Sequence, residues 1–224
     1  MRAVLSQRRR QNARGRAGCR ILPDRGRHRR RWRNRAVCSH ARNFRRTRRA
    51  AAPRSRHHDF TLDGNRAAYD AAFPGKLNYA FQHGGWQFLA LDSTQGTDFD
   101  ETNISAATLA WLDATLPKLD ASAPTVAFTH FPLGKGVTYR PLNADAVLAR
   151  LGTLNLRATF SGHWHGLNEQ RLDHADLIVS RCCSRVRGNR DGSPLKGWWV
   201  CHATPDGTIT HKFSALPIEK VEIP

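Results

Sequence analysis

Residues 162–166, Gly-His-Trp-His-Gly, place the imidazoles of His163 and His165 one residue apart at the end of the apolar run Leu156–Ser161. That run is typical of a buried strand, and alternate residues of an extended chain point to the same side. Histidine is the commonest protein ligand of transition metals. The flanking glycines allow a sharp turn with room for an ion and a substrate. The segment therefore predicts a metal site at the end of a strand.

Two further groups of histidines lie at the ends of predicted strands. His57 and His58 precede Asp59, and His130 follows the run Thr125–Thr129. Taken alone, His130 is typical of a hydrogen-bonded structural histidine, and the pair His57-His58 can belong to the basic segment before it. Because ligand sites of open α/β sheets lie beyond the carboxyl ends of the strands, the three groups together predict one site.

The elements that must position these histidines alternate between strands and helices. Leu77–His83 and Trp86–Leu91, joined by two glycines, predict a hairpin. Ser105 predicts the start of a helix to about residue 116, and Asn143 the start of a second helix that ends before Gly152. The remaining predicted strands are 125–129, 156–161, 175–180, 197–203 and 208–213. This order predicts an α/β fold, a mixed αββα sandwich.

Charge divides the chain into two parts. Residues 1–56 hold 21 of the 36 basic residues, all arginine, and one of the 18 acidic residues. The formal net charge of +18 therefore comes from this segment, and the rest of the chain is slightly acidic. A basic tail of this kind predicts a disordered, nucleic-acid-binding segment. The complete absence of lysine is unusual for such a tail.

A second interpretation of residues 1–56 is that they come from a shifted reading frame. In GC-rich DNA, arginine codons read one base out of register encode glycine, alanine, valine, aspartate or glutamate. Over residues 21–39 the permitted codons allow Thr-Gly-Asp followed by a sequence that resembles a protein core. We therefore expect residues 1–56 to be either disordered or out of frame, and residues 57–224 to form the folded part.

The order of the histidine motifs resembles the calcineurin-like metallophosphoesterase family. The resemblance rests on His58-Asp59, on Thr129–Leu133 and on the Gly-His-Trp-His of 162–165. Residues 84–86, 91–93 and 109–112 are similar to its class III cyclic-nucleotide phosphodiesterase branch. The resemblance to the family covers roughly residues 57–214 and implies a four-layer αββα sandwich. The first strands of that sandwich are missing, so we expect residues 57–224 to be the C-terminal part of such a domain.

The resemblance also implies a two-metal site. The metal ligands it implies are His57, His130, His163 and His165, with His130 and His163 on one ion and His165 on the other. His58 would assist protonation of the leaving group, and Asp59 would orient His58 through a hydrogen bond. Two divalent ions (Mn, Fe or Zn) about 4 Å apart activate a water and hold both the attacking and the leaving oxygen of a phosphoryl displacement.

The chain departs from the family pattern upstream of Asp59. It contains neither the D-x-H nor the G-D motif of the family, so the carboxylate that bridges the two ions is missing. Arg56 and His57 stand where the family has Gly-Asn. One base lost from codons for Gly-Asn-His-Asp gives Arg-His-His-Asp, in agreement with the shifted frame. We therefore predict weak metal binding and little activity for the chain as written.

The predicted function is hydrolysis of a phosphate ester, either a small molecule or a cyclic nucleotide. A different class of function, an Arg-rich nucleic-acid-binding protein with a non-catalytic scaffold domain, remains open if residues 1–56 are genuine. A single zinc ion on His130, His163 and His165 is a third possibility. Two loops, 134–141 and 184–196, should set the substrate. Arg185, Arg187 and Arg190 could meet a phosphate there, although we interpret them as members of a solvated loop.

Neither an apolar run of membrane-spanning length nor a signal peptide is recognised, which predicts a cytoplasmic protein without membrane contact. The sequence leaves the oligomeric state open.

Overall fold

A computed structural model describes residues 57–61, 63–184 and 187–216 of the chain. The Arg-rich segment 1–56 lies outside the described residues, and so does Arg185. The expectations that concern them remain predictions. Within the described part, no helix is long and apolar enough to cross a membrane.

A six-stranded sheet forms the centre of the fold, with the strand order β1-β2-β3-β4-β6-β5. Strands β2, β3, β4 and β6 are parallel, and the edge strands β1 and β5 each run antiparallel to their neighbour. The strands are β1 (Tyr79–His83), β2 (Trp86–Ala90), β3 (Thr125–Phe128), β4 (Leu156–Ser161), β5 (Asn168–Leu172) and β6 (Ala175–Val179). The predicted α/β class is confirmed, and the four parallel strands bring their carboxyl ends to one edge.

In the described part of the chain, helix α1 (Ala67–Ala72) precedes β1, and helices α2 (Ala106–Thr115) and α3 (Ala144–Leu151) connect strands of the sheet. The predicted cap of α2 is confirmed, because the Ser105 side chain accepts a hydrogen bond from the Thr108 amide. The predicted start of α3 is confirmed, because Asn143 is its N-cap residue, but the Asn143 side chain makes no capping hydrogen bond. Asn143 binds the backbone of Ile104 instead, accepting from its N–H and donating to its carbonyl, both at 2.8 Å. Asn143 thereby fastens the start of α3 to the segment before α2.

Helices α2 and α3 cover one face of the six-stranded sheet. Side chains of Leu112, Val147 and Leu151 pack against Leu89 and Ala127 of the sheet, and all five are fully buried. Complete burial of one such large aliphatic side chain contributes roughly 1.5–3 kcal/mol. This layer fixes the helices to the sheet and supports the edge where the parallel strands end.

The other face of the sheet carries a row of stacked aromatic rings. Phe81, Phe88, Phe128 and Phe160 come from β1, β2, β3 and β4, and neighbouring ring centroids are 4.8, 6.4 and 6.1 Å apart. Phe88, Phe128 and Phe160 are only half-buried, and Phe81 is exposed. We refer to these four residues as the phenylalanine row.

A two-stranded sheet of β7 (Gly197–Ala203) and β8 (Ile209–Ala215) lies against part of the phenylalanine row. The His211 ring of β8 meets the Phe160 ring edge to face, and Trp86 donates its indole N–H to the carbonyl of Thr204 at 3.0 Å. The described residues thus form three packed layers, namely helices, the large sheet and the small sheet. They agree with a partial αββα sandwich.

Candidate metal centre

Three histidine side chains converge beyond the carboxyl ends of β3 and β4. His57 belongs to a 3-10 turn (His57–Asp59), His130 follows β3, and His163 follows β4. His130 Nε2 lies 3.1 Å from His57 Nδ1 and 3.2 Å from His163 Nδ1. The ligand atoms of all three lie within 4.8 Å of one another. This is the grouping that a metal ion requires.

The tautomer of His163 is set by a backbone carbonyl. His163 Nε2 lies 2.8 Å from the Phe99 carbonyl oxygen, so Nε2 carries the hydrogen and donates it. The Nδ1 lone pair therefore faces the other two histidines, as in a metal-ligating histidine whose second nitrogen is held by a carbonyl. Burial lowers the pKa of His163 to about 4, so the ring is neutral at neutral pH.

The donor set fits a cation better than it fits hydrogen bonds alone. A neutral imidazole carries a single N–H. A single hydrogen at His130 Nε2 cannot form good hydrogen bonds to both His57 and His163. For a tetrahedral ion with nitrogen ligands at about 2.0–2.1 Å, neighbouring donors lie about 3.3 Å apart. The separations of His130 Nε2 from His57 Nδ1 and from His163 Nδ1 are both close to that value.

Ser93 fixes the backbone that carries His130. Its hydroxyl oxygen accepts hydrogen bonds from the amides of His130 and Phe131, both at 3.0 Å, and its side chain is fully buried. The Thr129 hydroxyl donates to the Phe131 carbonyl at 2.7 Å and closes the same turn. Sequence reasoning gave Ser93 only as part of a resemblance and missed this role.

The chain leaves strand geometry before the two histidines of 162–166. His163 and His165 have φ angles of 59° and 53°, in the left-handed region, and β4 ends at Ser161. The expectation that strand alternation aligns the two rings is therefore wrong. His163 joins the three-histidine group, and His165 does not. The glycine at 166 is needed because a Cβ there would lie 2.4 Å from the Trp164 ring.

His165 nevertheless lines the same pocket, a cavity of about 400 Å³. Its walls are formed by His57, His58, Thr97, Phe99, His163, His165, Arg187 and Arg190. Burial, and then the positive charges of Arg187 and Arg190, lower the pKa of His165. Two of the arginines that the sequence suggested for a solvated loop therefore lie beside the histidines.

His58 and Asp59, the predicted catalytic pair, occupy the same 3-10 turn as His57. The Nη1 atom of Arg187 lies 3.1 Å from His58 Nε2. A guanidinium only donates, so His58 Nε2 is the acceptor and carries no hydrogen in this arrangement. Asp59 is buried beside it. The hydrogen bond that the His58 ring would donate to Asp59 stays a prediction.

No carboxylate joins the histidine group. In residues 57–61, 63–184 and 187–216, only one set of three or more potential ligands meets, and it consists of histidines. Asp92, which follows β2, is instead held by Arg66 at 3.2 Å and by the Thr94 hydroxyl at 2.6 Å. Burial raises the pKa of Asp92. The described residues thus assemble ligands for one ion and no bridging group.

Comparison with known proteins gives distant similarity only. No protein-family model and no curated protein matches the chain. A dimetal phosphatase from Danio rerio is similar at 18% identity and a TM-score of 0.39, over 46% of this chain and 48% of that one. A protein titled as a 5'-nucleotidase from Staphylococcus aureus, in complex with alpha-ketoglutarate, is similar at 18% identity and a TM-score of 0.34.

The second match covers 63% of this chain and 29% of the other. The chain therefore spans about half the length of the first protein and under a third of the second. Similarity at this level assigns neither a family nor an activity, so the function is argued from the site itself.

Proposed function

We propose that this chain is a metal-dependent phosphoesterase domain that holds one divalent transition-metal ion on His57, His130 and His163. The observation that carries the proposal is the meeting of three histidine nitrogens, two of them from His57 and His163, which line a pocket with two arginines and no acidic side chain. Neutral imidazoles suit Mn, Fe and Zn, and the guanidinium groups suit an anionic ester.

Each group of residues has a part in this chemistry. A bound ion supplies Lewis acidity and lowers the pKa of a coordinated water. His57, His130 and His163 hold the ion, and Ser93 and the Phe99 carbonyl orient two of those rings. His58 faces the pocket, where it is placed to exchange a proton with the leaving group once its Nε2 is released by Arg187. Asp59 would orient His58.

A second metal ion, which the resemblance implies, has few candidate ligands in this chain. His165 is the candidate ligand, yet it lies outside the three-histidine group, and no bridging carboxylate is present among the described residues. Two cations held close together without an intervening negative charge repel each other strongly. We therefore propose that the chain binds one ion on the three histidines, binds a second poorly and hydrolyses esters slowly.

Metal stoichiometry and activity of the purified 224-residue chain test the proposal. We expect one Zn, Mn or Fe ion per chain by elemental analysis, and slow hydrolysis of p-nitrophenyl phosphate esters. His163→Ala should abolish both, and His202→Ala, at an exposed position on β7, should change neither. A chain that binds no ion overturns the proposal. Rapid turnover with two ions per chain overturns the part that concerns impairment.

The 21 arginines of residues 1–56 favour a second candidate, a nucleic-acid-binding protein with a non-catalytic scaffold domain. Binding through this segment should weaken steeply between low and moderate salt, and deletion of residues 1–56 should abolish it. The coding DNA around Gly26 and Arg56 decides separately whether the segment is genuine or out of frame.

A further inference from the structure

We infer that Arg187 and Arg190 bind the terminal phosphate of a phosphomonoester, and that they make the pocket selective for this doubly charged group over a diester. The inference rests on the proposed function in that the ester binds beside the three histidines. It goes further by naming the substrate class and the two residues that determine it.

Both arginines face the histidines from the loop between β6 and β7. Arg187 reaches His58 through its Nη1 atom at 3.1 Å. The guanidinium of Arg190 lies 4.7 Å from the centroid of the Tyr139 ring, which in turn lies 4.8 Å from the His163 ring. The Tyr139 ring therefore holds Arg190 next to a candidate metal ligand.

Hydrogen bonds hold the described loop residues around Arg190 in place. The Arg190 amide donates to the His165 carbonyl at 2.9 Å. The Asn189 side chain donates to the carbonyls of Ser193 and Leu195, both at 2.7 Å. Asp191 receives the Leu167 amide at 2.9 Å and Arg181 at 2.7 Å. Side chains mounted on such a backbone are pre-organised, which reduces the ordering cost of binding.

The residues that line the pocket carry positive charge. They include two guanidinium groups and no carboxylate, and no ion pair of Arg187 or Arg190 occurs in the part of the chain that is described. Arg187 contacts the ring nitrogen of His58, which a phosphate oxygen replaces with a stronger, charge-assisted bond. Positive charge in a concave site favours an anion.

The charge of the phosphate group and its number of terminal oxygens then decide between a phosphomonoester and a diester. A phosphomonoester carries a charge of about −1.5 to −2 near neutral pH and offers three terminal oxygens. A diester carries one charge and two such oxygens. Two guanidinium forks and a metal ion can engage three oxygens together, and a second ester arm would take the place of one of these contacts. The monoester is thus favoured by both charge and geometry.

Calorimetric titration of the full-length, zinc-loaded chain with inorganic phosphate and with dimethyl phosphate tests the inference. Inorganic phosphate represents the doubly charged group, and dimethyl phosphate represents the diester. We expect phosphate to bind about tenfold more tightly, a difference of about 1.4 kcal/mol. Arg187→Gln and Arg190→Gln should each reduce phosphate affinity about tenfold and leave zinc affinity unchanged. Arg171→Gln, an exposed arginine on β5, is the matched control and should have no effect.

Equal affinity for the two anions overturns the inference, as does phosphate affinity that stays within twofold in both variants. If zinc itself fails to bind, the proposed function fails, and the same titrations on the metal-free chain still test the arginines. Arg187→Lys and Arg190→Lys keep the charge and remove the planar fork. They should recover part of the affinity, and thermal melting followed by circular dichroism verifies that each variant is folded.

Discussion

The two walls of the pocket are built in opposite ways. The histidine wall comes from the 3-10 turn and from the ends of β3 and β4, and its residues are mostly buried. A backbone carbonyl holds the His163 ring, and a buried serine holds the backbone of His130. The arginine wall comes from a loop, its groups are charged, and it contacts the rings of His58 and Tyr139. One wall is suited to a cation and the other to an anion. Their functions should therefore be separable by mutation.

The largest effect should come from loss of a histidine ligand. In His163→Ala we expect metal affinity to fall at least 100-fold, more than the roughly 10–100-fold loss typical of a residue that only supports a ligand. Phosphate binding to the metal-free chain should remain, because the arginines are untouched. Tetrahedral Co(II) absorption measures the first quantity and calorimetry the second. Loss of both in a folded variant would show that the two walls are not independent.

Ser93→Ala tests whether the histidine wall depends on its backbone support. The change leaves two amide hydrogens without their acceptor, and an unsatisfied buried polar group costs roughly 1–3 kcal/mol. We expect the free energy of unfolding to fall by about that amount and metal affinity to fall about tenfold. Chemical denaturation and zinc titration provide the two values. An unchanged zinc affinity would mean that His130 is positioned by other contacts.

The histidine wall should also make the stability of the metal-free chain depend on pH. Because burial lowers the pKa of His163 to about 4, the unfolded chain takes up a proton there that the folded, metal-free chain does not. Stability is therefore fully present above the ordinary histidine pKa of about 6.5 and is lost as pH falls towards 4. Urea denaturation of His163→Gln should show a weaker loss than the wild-type chain, and exposed His202→Gln should match the wild type.

The smallest effect is expected where one ring supports the arginine wall. Tyr139→Leu removes the aromatic face beneath Arg190, a contact worth about 0.5–1 kcal/mol at an exposed site. Phosphate affinity should fall about two- to fivefold, with zinc affinity unchanged. Because Tyr139 also touches the His163 ring, a change in zinc affinity would show that this residue belongs to both walls.

Much of the fold follows from local sequence signals. The hairpin of β1 and β2 is confirmed, and its Gly84 and Gly85 adopt the positive φ values, 57° and 81°, that only glycine tolerates easily. Helices α2 and α3 were predicted within two residues at each end, whereas α1 was not predicted. Strand β5 was missed because its sequence, Asn-Glu-Gln-Arg-Leu, has no apolar alternation. It forms by pairing with β6, a tertiary contact that periodicity does not report.

The site was predictable in its residue types and less so in its grouping. Histidine-rich strand ends indicated a metal site, and His130 and His163 indeed meet. Backbone geometry decided the rest, because left-handed turns at His163 and His165 redirect their side chains. The arginines were undervalued, since the sequence around Arg187 and Arg190 gives no sign that Asn189 and Asp191 would fold the loop onto the pocket.

The phenylalanine row has a practical consequence for how the stability of the variants is measured. Half-buried aromatic rings on a folded sheet offer a surface to hydrophobic dyes, which otherwise report partly unfolded states. Dye fluorescence should therefore be high before any heating, so dye-based melting curves will start from a raised baseline. Mild non-ionic detergent should lower that baseline without changing the circular dichroism spectrum. Variants are better ranked by spectroscopy of the backbone than by dye binding.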